Sequence, residues 1–194
     1  MSLVAIQGIK GSYSEEATLK LFGQTAEILE CADFAETFQK LLEKKANYAV
    51  IPFKNKIVGE IETPHRLFRE SELQIFEKLE LKIRHVLAGT SDAEFEHLQT
   101  VRSHVEALKQ CRNFLSKNQQ IKQIIGADTA SSVRRIIEEN RFENAAIGSR
   151  RAAEIYGAKI LRENNADDND NWTTFYLIGN KTKMPRCATA FQME

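Results

Sequence analysis

The sequence has no net charge, no long apolar run, few cysteines and little proline. Lysine plus arginine number 27, and so do aspartate plus glutamate, in 194 residues. The basic excess of a dedicated nucleic-acid binder is missing, and no nucleic-acid partner is expected. Nothing approaches the ~18 consecutive apolar residues of a membrane-spanning helix, and Lys10 comes too early for a signal peptide's apolar core. A cytoplasmic protein with no membrane partner is expected. Cys31, Cys111 and Cys187 are odd in number and show no CxxC spacing, which fits a reducing compartment and forms no zinc pattern. Asp167, Asp168 and Asp170 lack the glycine and distal glutamate of a calcium loop, so they read as a solvated acidic loop. Neither GxGxxG nor GxxxxGK[ST] occurs, so no phosphate-cradling loop is marked. There is no Pro/Gly-rich linker, low-complexity tract or internal repeat.

What is present reads as a folded α/β protein. Hydrophobic residues make up 42% and charged residues 28%, a globular ratio. The length suits one domain or two small lobes. Short β-rich runs alternate with helical patterns. Leu3–Gln7 reads as a buried strand, and Ser12 with Glu15 as a capping box opening a helix that stops at Gly23. Asp33 with Glu36 opens a second helix. Tyr48–Ile51 reads as a strand closed by Pro52, and Leu79–Arg84 alternates as a half-exposed strand. Ser103 with Glu106 reads as another capping box, opening one helix through Val105, Leu108, Cys111 and Leu115. Strands are expected at Ile121–Ile125, Ala145–Ile147 and Thr174–Ile178, and helices over Asp128–Glu139 and Arg150–Tyr156. This alternation predicts mainly parallel sheets with flanking helices. In such sheets ligands sit at the C-terminal ends of strands. Four loops fall there: 8–14, 52–59, 102–104 and 127–131.

Those loops carry ordered motifs. Residues 8–14 read G-I-K-G-S-Y-S, 52–59 read P-F-K-N-K-I-V-G, and 103–111 read S-H-V-E-A-L-K-Q-C. Thr129-Ala130, the segment from Ala145 to Leu161, and Trp172-Thr173-Thr174-Phe175 follow. In order and spacing, from Val4 to about Ile178, these segments resemble the catalytic domain of prephenate dehydratase. The resemblance implies a two-lobed clamshell like the type II periplasmic-binding proteins, with the active site in the cleft between lobes. Lobe 1 is expected over 1–77 plus 173–194, and lobe 2 over 78–172. It also implies a homodimer or homotetramer. The family's phenylalanine-sensing ACT domain is expected to be absent, since 16 residues follow Ile178.

The resemblance implies a lyase of phenylalanine biosynthesis that turns a dicarboxylate, prephenate, into phenylpyruvate without metal or organic cofactor. A prephenate decarboxylase of a specialised-metabolite pathway and a non-catalytic small-carboxylate binder stay open as alternatives. Carried over residue by residue, Thr173, Asn55, Ser103 and Gln110 are expected to be catalytic. Gly11, Ser12, Ser14, Lys54, Lys56, His104, Thr129, Ala130, Thr174 and Phe175 are expected to bind substrate. The chain departs from the family pattern at Lys54 and Lys56, where E-N-S has glutamate and serine, and at Thr174, where T-R-F has arginine. Ile9 and Lys10 stand where proline and glutamate are common. Lys10, Lys54 and Lys56 are expected to raise the local positive potential for a carboxylate. Ser103 has a second reading as a helix cap, and Gln110 would lie two turns along the same helix face. Thr173 reads otherwise as a polar strand-edge residue, Trp172 as core, and His85 as a structural histidine.

Overall fold

Two sheets organise the chain, each in its own unit. The computed structural model describes residues 2–181. One unit takes Tyr13–Lys82 together with the first and last strands; the other takes Ile83–Asn171 together with Lys10–Ser12. Among the described residues no helix is long and apolar enough to cross a membrane.

In the first unit the order is β1 (Leu3–Gln7), α1 (Tyr13–Phe22), β2 (Glu27–Cys31), α2 (Phe34–Leu42), β3 (Tyr48–Asn55), β4 (Gly59–Glu60), α3 (Glu62–Arg69) and β5 (Gln74–Lys82). Val4, Ala5 and Ile6 are wholly buried because β1 runs through the sheet interior, parallel to β2 and β3. Helix α2 starts where the sequence places it. Asp33 Oδ1 accepts from Glu36 N at 2.8 Å, and Glu36 Oε2 accepts from the N–H one residue before the cap, Ala32 N, at 2.8 Å, a variant of the capping box. The Ala32 bond and the Lys40 ammonium hold the Glu36 carboxyl below its usual pKa. The helix lays Phe38 and Leu41 on Ala5, Ile51 and Phe53. Burying a side chain such as Phe53 contributes roughly 2–3 kcal/mol.

The second unit continues with β6 (His85–Gly89), β7 (Thr100–Ser103), α4 (Val105–Gln110), α5 (Arg112–Lys117), β8 (Lys122–Ile125), α6 (Thr129–Glu139), β9 (Asn144–Ser149), α7 (Arg150–Tyr156) and β10 (Lys159–Arg162). The chain then returns to the first sheet as β11 (Trp172–Gly179). The sheets run β2-β1-β3-β11-β5, with β4 on β3, and β10-β6-β9-β7-β8. Leu108, Phe114 and Leu115 pack with Leu87, Val101 and Ile147 to form the second core.

Several sequence expectations change. Both sheets are mixed rather than mainly parallel. Pairing is parallel in β2-β1-β3 and β9-β7-β8, where helical crossovers join the strands, and antiparallel where β11, β6 and β10 enter. Pro52 does not close its strand. It sits inside β3, beyond the stretch paired to β1, at a bulge where the register with β11 shifts between Thr174 and Phe175. A missing N–H is tolerated there. Residues 78–82, expected in the second lobe, belong to β5, because the ladder to β11 runs on to Lys82 opposite Trp172. The single helix expected after Ser103 breaks at Cys111 (φ −114°, ψ 24°). There Asp167 N donates to Gln110 O at 2.7 Å and Asp167 Oδ1 accepts from Asn113 N at 3.0 Å, so a distant loop satisfies the groups the break exposes.

Gly148 faces α6 at close range. A Cβ there would lie 2.5 Å from Val133 Cγ2 and 3.1 Å from Thr129 O. Gly148→Ala should therefore destabilise the protein by about 1–3 kcal/mol through overpacking. Urea unfolding checks this, and an unchanged midpoint counts against the tight α6–β9 packing.

Candidate active site

Asn55 ends β3 and Thr173 lies in β11, and the antiparallel register sets them opposite each other. Asn55 Nδ2 donates to Thr173 Oγ1 at 2.8 Å and to Trp172 O at 3.3 Å. Its Oδ1 accepts from Ile57 N and Val58 N, both at 3.0 Å, closing the turn into β4. The amide is thereby fixed, oxygen to the turn and nitrogen to the threonine. Asn55 and Thr173 are 8% and 6% exposed. Since Thr173 Oγ1 accepts from Asn55, the threonine keeps its own O–H as a donor. A held hydroxyl aimed by a neighbour can stabilise negative charge on an oxygen within hydrogen-bond reach.

The altered motif residues fall on the other face. Side chains alternate along a strand. Thr174 stands opposite Lys54 on one side and Glu80 on the other, whereas Thr173 stands opposite Asn55 and Leu81. Lys54 and Thr174 were expected to bind substrate beside Asn55 and Thr173; strand alternation turns them away. Lys54 Nζ lies 3.1 Å from Glu60 Oε1, and the other oxygen of Glu60 lies 2.6 Å from His65 Nε2. The Lys54 bond holds the Glu60 carboxyl below its usual pKa. Lys56 is exposed, and its backbone N–H donates to Trp172 O at 2.8 Å. Trp172 is 37% exposed, with the Lys82 ammonium 5.7 Å from its ring centroid, so it is not the core residue expected. Phe175 shares the Thr173 face but is buried in the core.

The second unit holds all but one of the remaining expected residues. Gly11 takes φ +87°, and a Cβ there would lie 2.7 Å from Ala152 Cα, so only glycine fits. Ser149 Oγ donates to Gly11 O at 2.6 Å and accepts from Ala152 N at 2.9 Å, capping α7 and pinning the loop at once. Tyr156 Oη donates to Lys10 O at 2.8 Å. Ser12 is buried just before α1. Ser14, in the first unit, is also buried, and its carbonyl accepts from Thr18 Oγ1. Ser103 caps nothing. It ends β7 with no exposure, and its hydroxyl donates to Ile147 O at 2.6 Å. His104 takes the cap instead, its Nδ1 accepting from Glu106 N at 3.3 Å. Thr129 opens α6 behind the Asp128 cap, and Ala130 is fully buried.

Gln110 does not share a helix face with Ser103, because Ser103 is in a strand. Its Oε1 accepts from Asn171 Nδ2 at 2.9 Å and lies 2.9 Å from His85 Nε2. Ser149 and Asn171 were missed. Ser149 precedes a helix without the acidic partner of a capping box, and Asn171 lies in a stretch that reads as solvated loop. Burial lowers the His85 pKa from the usual 6.5, partly offset by the Gln110 bond. Burial, then the Asp167 charge, push the Cys111 thiol up to about 12, which rules it out as a nucleophile at neutral pH. Cys31 and Cys111 are both buried free thiols, and Cys187 lies outside the described residues. Among the described residues no group of three or more His, Cys, Asp or Glu could hold a metal ion.

The family model for prephenate dehydratase matches residues 4–183. Arogenate dehydratase/prephenate dehydratase 1 of Arabidopsis thaliana is 36% identical over 183 residues, covering 94% of this chain and 46% of the relative. The bifunctional chorismate mutase/prephenate dehydratase of Aquifex aeolicus is 33% identical over 183 residues, covering 94% and 50%. The chain thus spans about half the length of the curated relatives it matches. The crystal structure of prephenate dehydratase from Arthrobacter aurescens, in complex with L-Phe, superposes with a TM-score of 0.85 at 22% identity, over 94% of this chain and 62% of that one. That likeness shows the fold.

The lowered His85 pKa has a pH consequence. As pH falls through 6.5 the unfolded chain protonates this histidine while the native protein keeps it neutral, so the unfolded state binds more protons. The stability tied to His85 is present above pH 6.5 and is lost on going below it. Wild type should lose more stability than His85→Gln between pH 7.5 and 5. Parallel urea titrations check this, and equal losses would place His85 in a solvated setting.

Proposed function

The chain belongs to the prephenate dehydratase family, and on that premise we propose that it is a lyase converting prephenate to phenylpyruvate in phenylalanine biosynthesis. The observation that carries the reading is the Asn55–Thr173 pair, a buried hydroxyl oriented as a donor at a position matching the family's T-R-F threonine. In the reaction the ring carbon–carboxylate bond breaks and CO2 leaves. Its electron pair moves through the ring, and the bond from the opposite ring carbon to its hydroxyl breaks. That oxygen departs with its pair and takes a proton to become water, leaving an aromatic ring.

Charge builds on the departing oxygen as that bond lengthens. We assign Thr173 the role of donating its O–H to this oxygen, and Asn55 the role of fixing where the O–H points. A threonine hydroxyl is too weak an acid to give up its proton at neutral pH, so it acts by electrostatic stabilisation, and water supplies the proton. Preorganisation strengthens the effect, because the Asn55 amide is already committed on both ends and nothing reorients during reaction. Ser103 and Gln110 act as scaffold rather than as reacting groups, since their polar atoms serve Ile147, His85 and Asn171. The family resemblance further supports a homodimer or homotetramer, which sedimentation velocity would resolve.

Incubating purified protein with prephenate and following products by mass and ultraviolet spectrum tests the activity. Phenylpyruvate is the expected product. A non-aromatic decarboxylated product would replace the reading with a decarboxylase, and tight binding without turnover with a small-carboxylate binder. Thr173→Val keeps the β-branched shape and removes only the oxygen. It should fold and bind substrate within about threefold of wild type while kcat falls at least about a hundredfold, roughly 2.7 kcal/mol of transition-state stabilisation. Undiminished turnover would remove Thr173 from the mechanism.

A further inference from the structure

We infer that His65 is a positioning residue for the Asn55–Thr173 pair, acting through the hairpin of β3 and β4; the inference rests on the dehydratase reading above. Every residue it uses belongs to the first unit. His65 lies in α3, and its Nε2 stands 3.1 Å from Phe53 O and 2.6 Å from Glu60 Oε2. A carbonyl carries no hydrogen, and the Glu60 carboxyl, held below its usual pKa chiefly by the Lys54 bond, has none to give. The proton is therefore on Nε2, which donates to both oxygens. The imidazole also meets the Phe53 ring edge to face, with centroids 4.9 Å apart.

Phe53 is the residue that the bulge leaves out of the ladder to β11, since Pro52 pairs with Phe175 and Lys54 with Thr174. Its carbonyl accepts from Ile61 N at 2.9 Å and from His65. Asn55 follows two residues later, opposite Gly59, and Glu60 comes next after Gly59. One imidazole therefore ties both arms of the hairpin, just behind the turn that Asn55 Oδ1 closes. An apolar residue at 65 leaves the bulge carbonyl with one donor and removes the bond that joins it to Glu60. The arm that carries Asn55 then loses a constraint, and with it the amide nitrogen that aims the Thr173 hydroxyl. Misplacement of a reacting group by about 1 Å can cost about a hundredfold in rate. Since Ile61 N still holds the carbonyl, a smaller loss is expected here.

The test uses the full chain with prephenate. His65→Phe keeps a ring against Phe53 and removes the donor. It should lower kcat about tenfold while KM stays within about threefold, and His65→Gln, which places an amide N–H near the position of Nε2, should recover most of the loss. A double-mutant cycle separates positioning from general damage. If His65 works through the Thr173 hydroxyl, His65→Phe adds little to Thr173→Val; if it merely supports the fold, the two losses multiply. Multiplying losses, an unchanged kcat in His65→Phe, or no rescue by His65→Gln would overturn the positioning role while leaving the dehydratase reading intact. Wild-type protein that turns nothing over would overturn the dehydratase reading itself. The geometry has its own readout in 15N NMR. The Asn55 side-chain amide signals should move in His65→Phe and return in His65→Gln, and signals that stay in place would overturn the inference without any measurement of turnover. Should His65→Phe fail to fold, the imidazole of wild type still decides: a proton on Nε2 is expected, and a ring protonated at Nδ1 alone would overturn the inference.

Discussion

The hydrogen bond from Asn55 to Thr173 joins residues 118 apart in sequence, and the local chemistry of the first unit depends on it. It exists only because β11 pairs with β3 in one register, which puts these two side chains on the same face. A slip of one residue would bring Thr174 to that face and send Thr173 away. The bulge beside Pro52 takes up one extra residue of β3, Phe53, just beyond the pair, so the ladder can be irregular there and still deliver the two side chains together. Asn55 has little freedom to do anything else. With its oxygen on two turn N–H groups and its nitrogen on Thr173, the hairpin tip and the candidate catalytic hydroxyl are set by one side chain.

The same alternation explains the departures from the family pattern. Glutamate and arginine at positions 54 and 174 would face each other across β3 and β11 as opposite charges. Here lysine and threonine occupy the two places, and Lys54 finds Glu60 on the neighbouring strand instead. An exposed pair of this kind is screened by solvent and contributes little to stability. The change therefore alters the charge of an outer face, while the Asn55–Thr173 pair on the inner face is kept.

Local signals were legible where the chain satisfies itself locally. The Asp33 cap of α2 and the Gly23 stop after α1 need only a few neighbouring residues, and both form where the sequence places them. Local signals mislead where distant partners decide. Ser103 stands three residues before Glu106, yet strand β7 claims it through the carbonyl of Ile147, and the cap passes to His104. Gln110 looked like a residue on a continuous helix, but Asp167, far along the chain, supports a break at Cys111. Lys54 and Asn55 are adjacent in sequence, so a motif groups them, although a strand separates adjacent side chains to opposite faces. Asn171 carries no periodic signal and became readable only through its bond to Gln110. Of the candidate site, then, Asn55 and Thr173 were legible, and their support was not.

The placement of β11 has a temporal side. Among the described residues it is the last strand of the first sheet to be made, yet it lies between β3 and β5. On a ribosome the residues from Ile83 to Asn171 take on the order of 5–20 s to synthesise. During that interval β3 and β5 wait with unpaired edges, each a template for the wrong neighbour. Pro52 within β3 denies one backbone donor to any visitor, and Glu77, Lys78 and Glu80 line the exposed length of β5 with charge. Residues that look incidental in the finished sheet thus guard a nascent chain against pairing with its siblings until its own strand emerges.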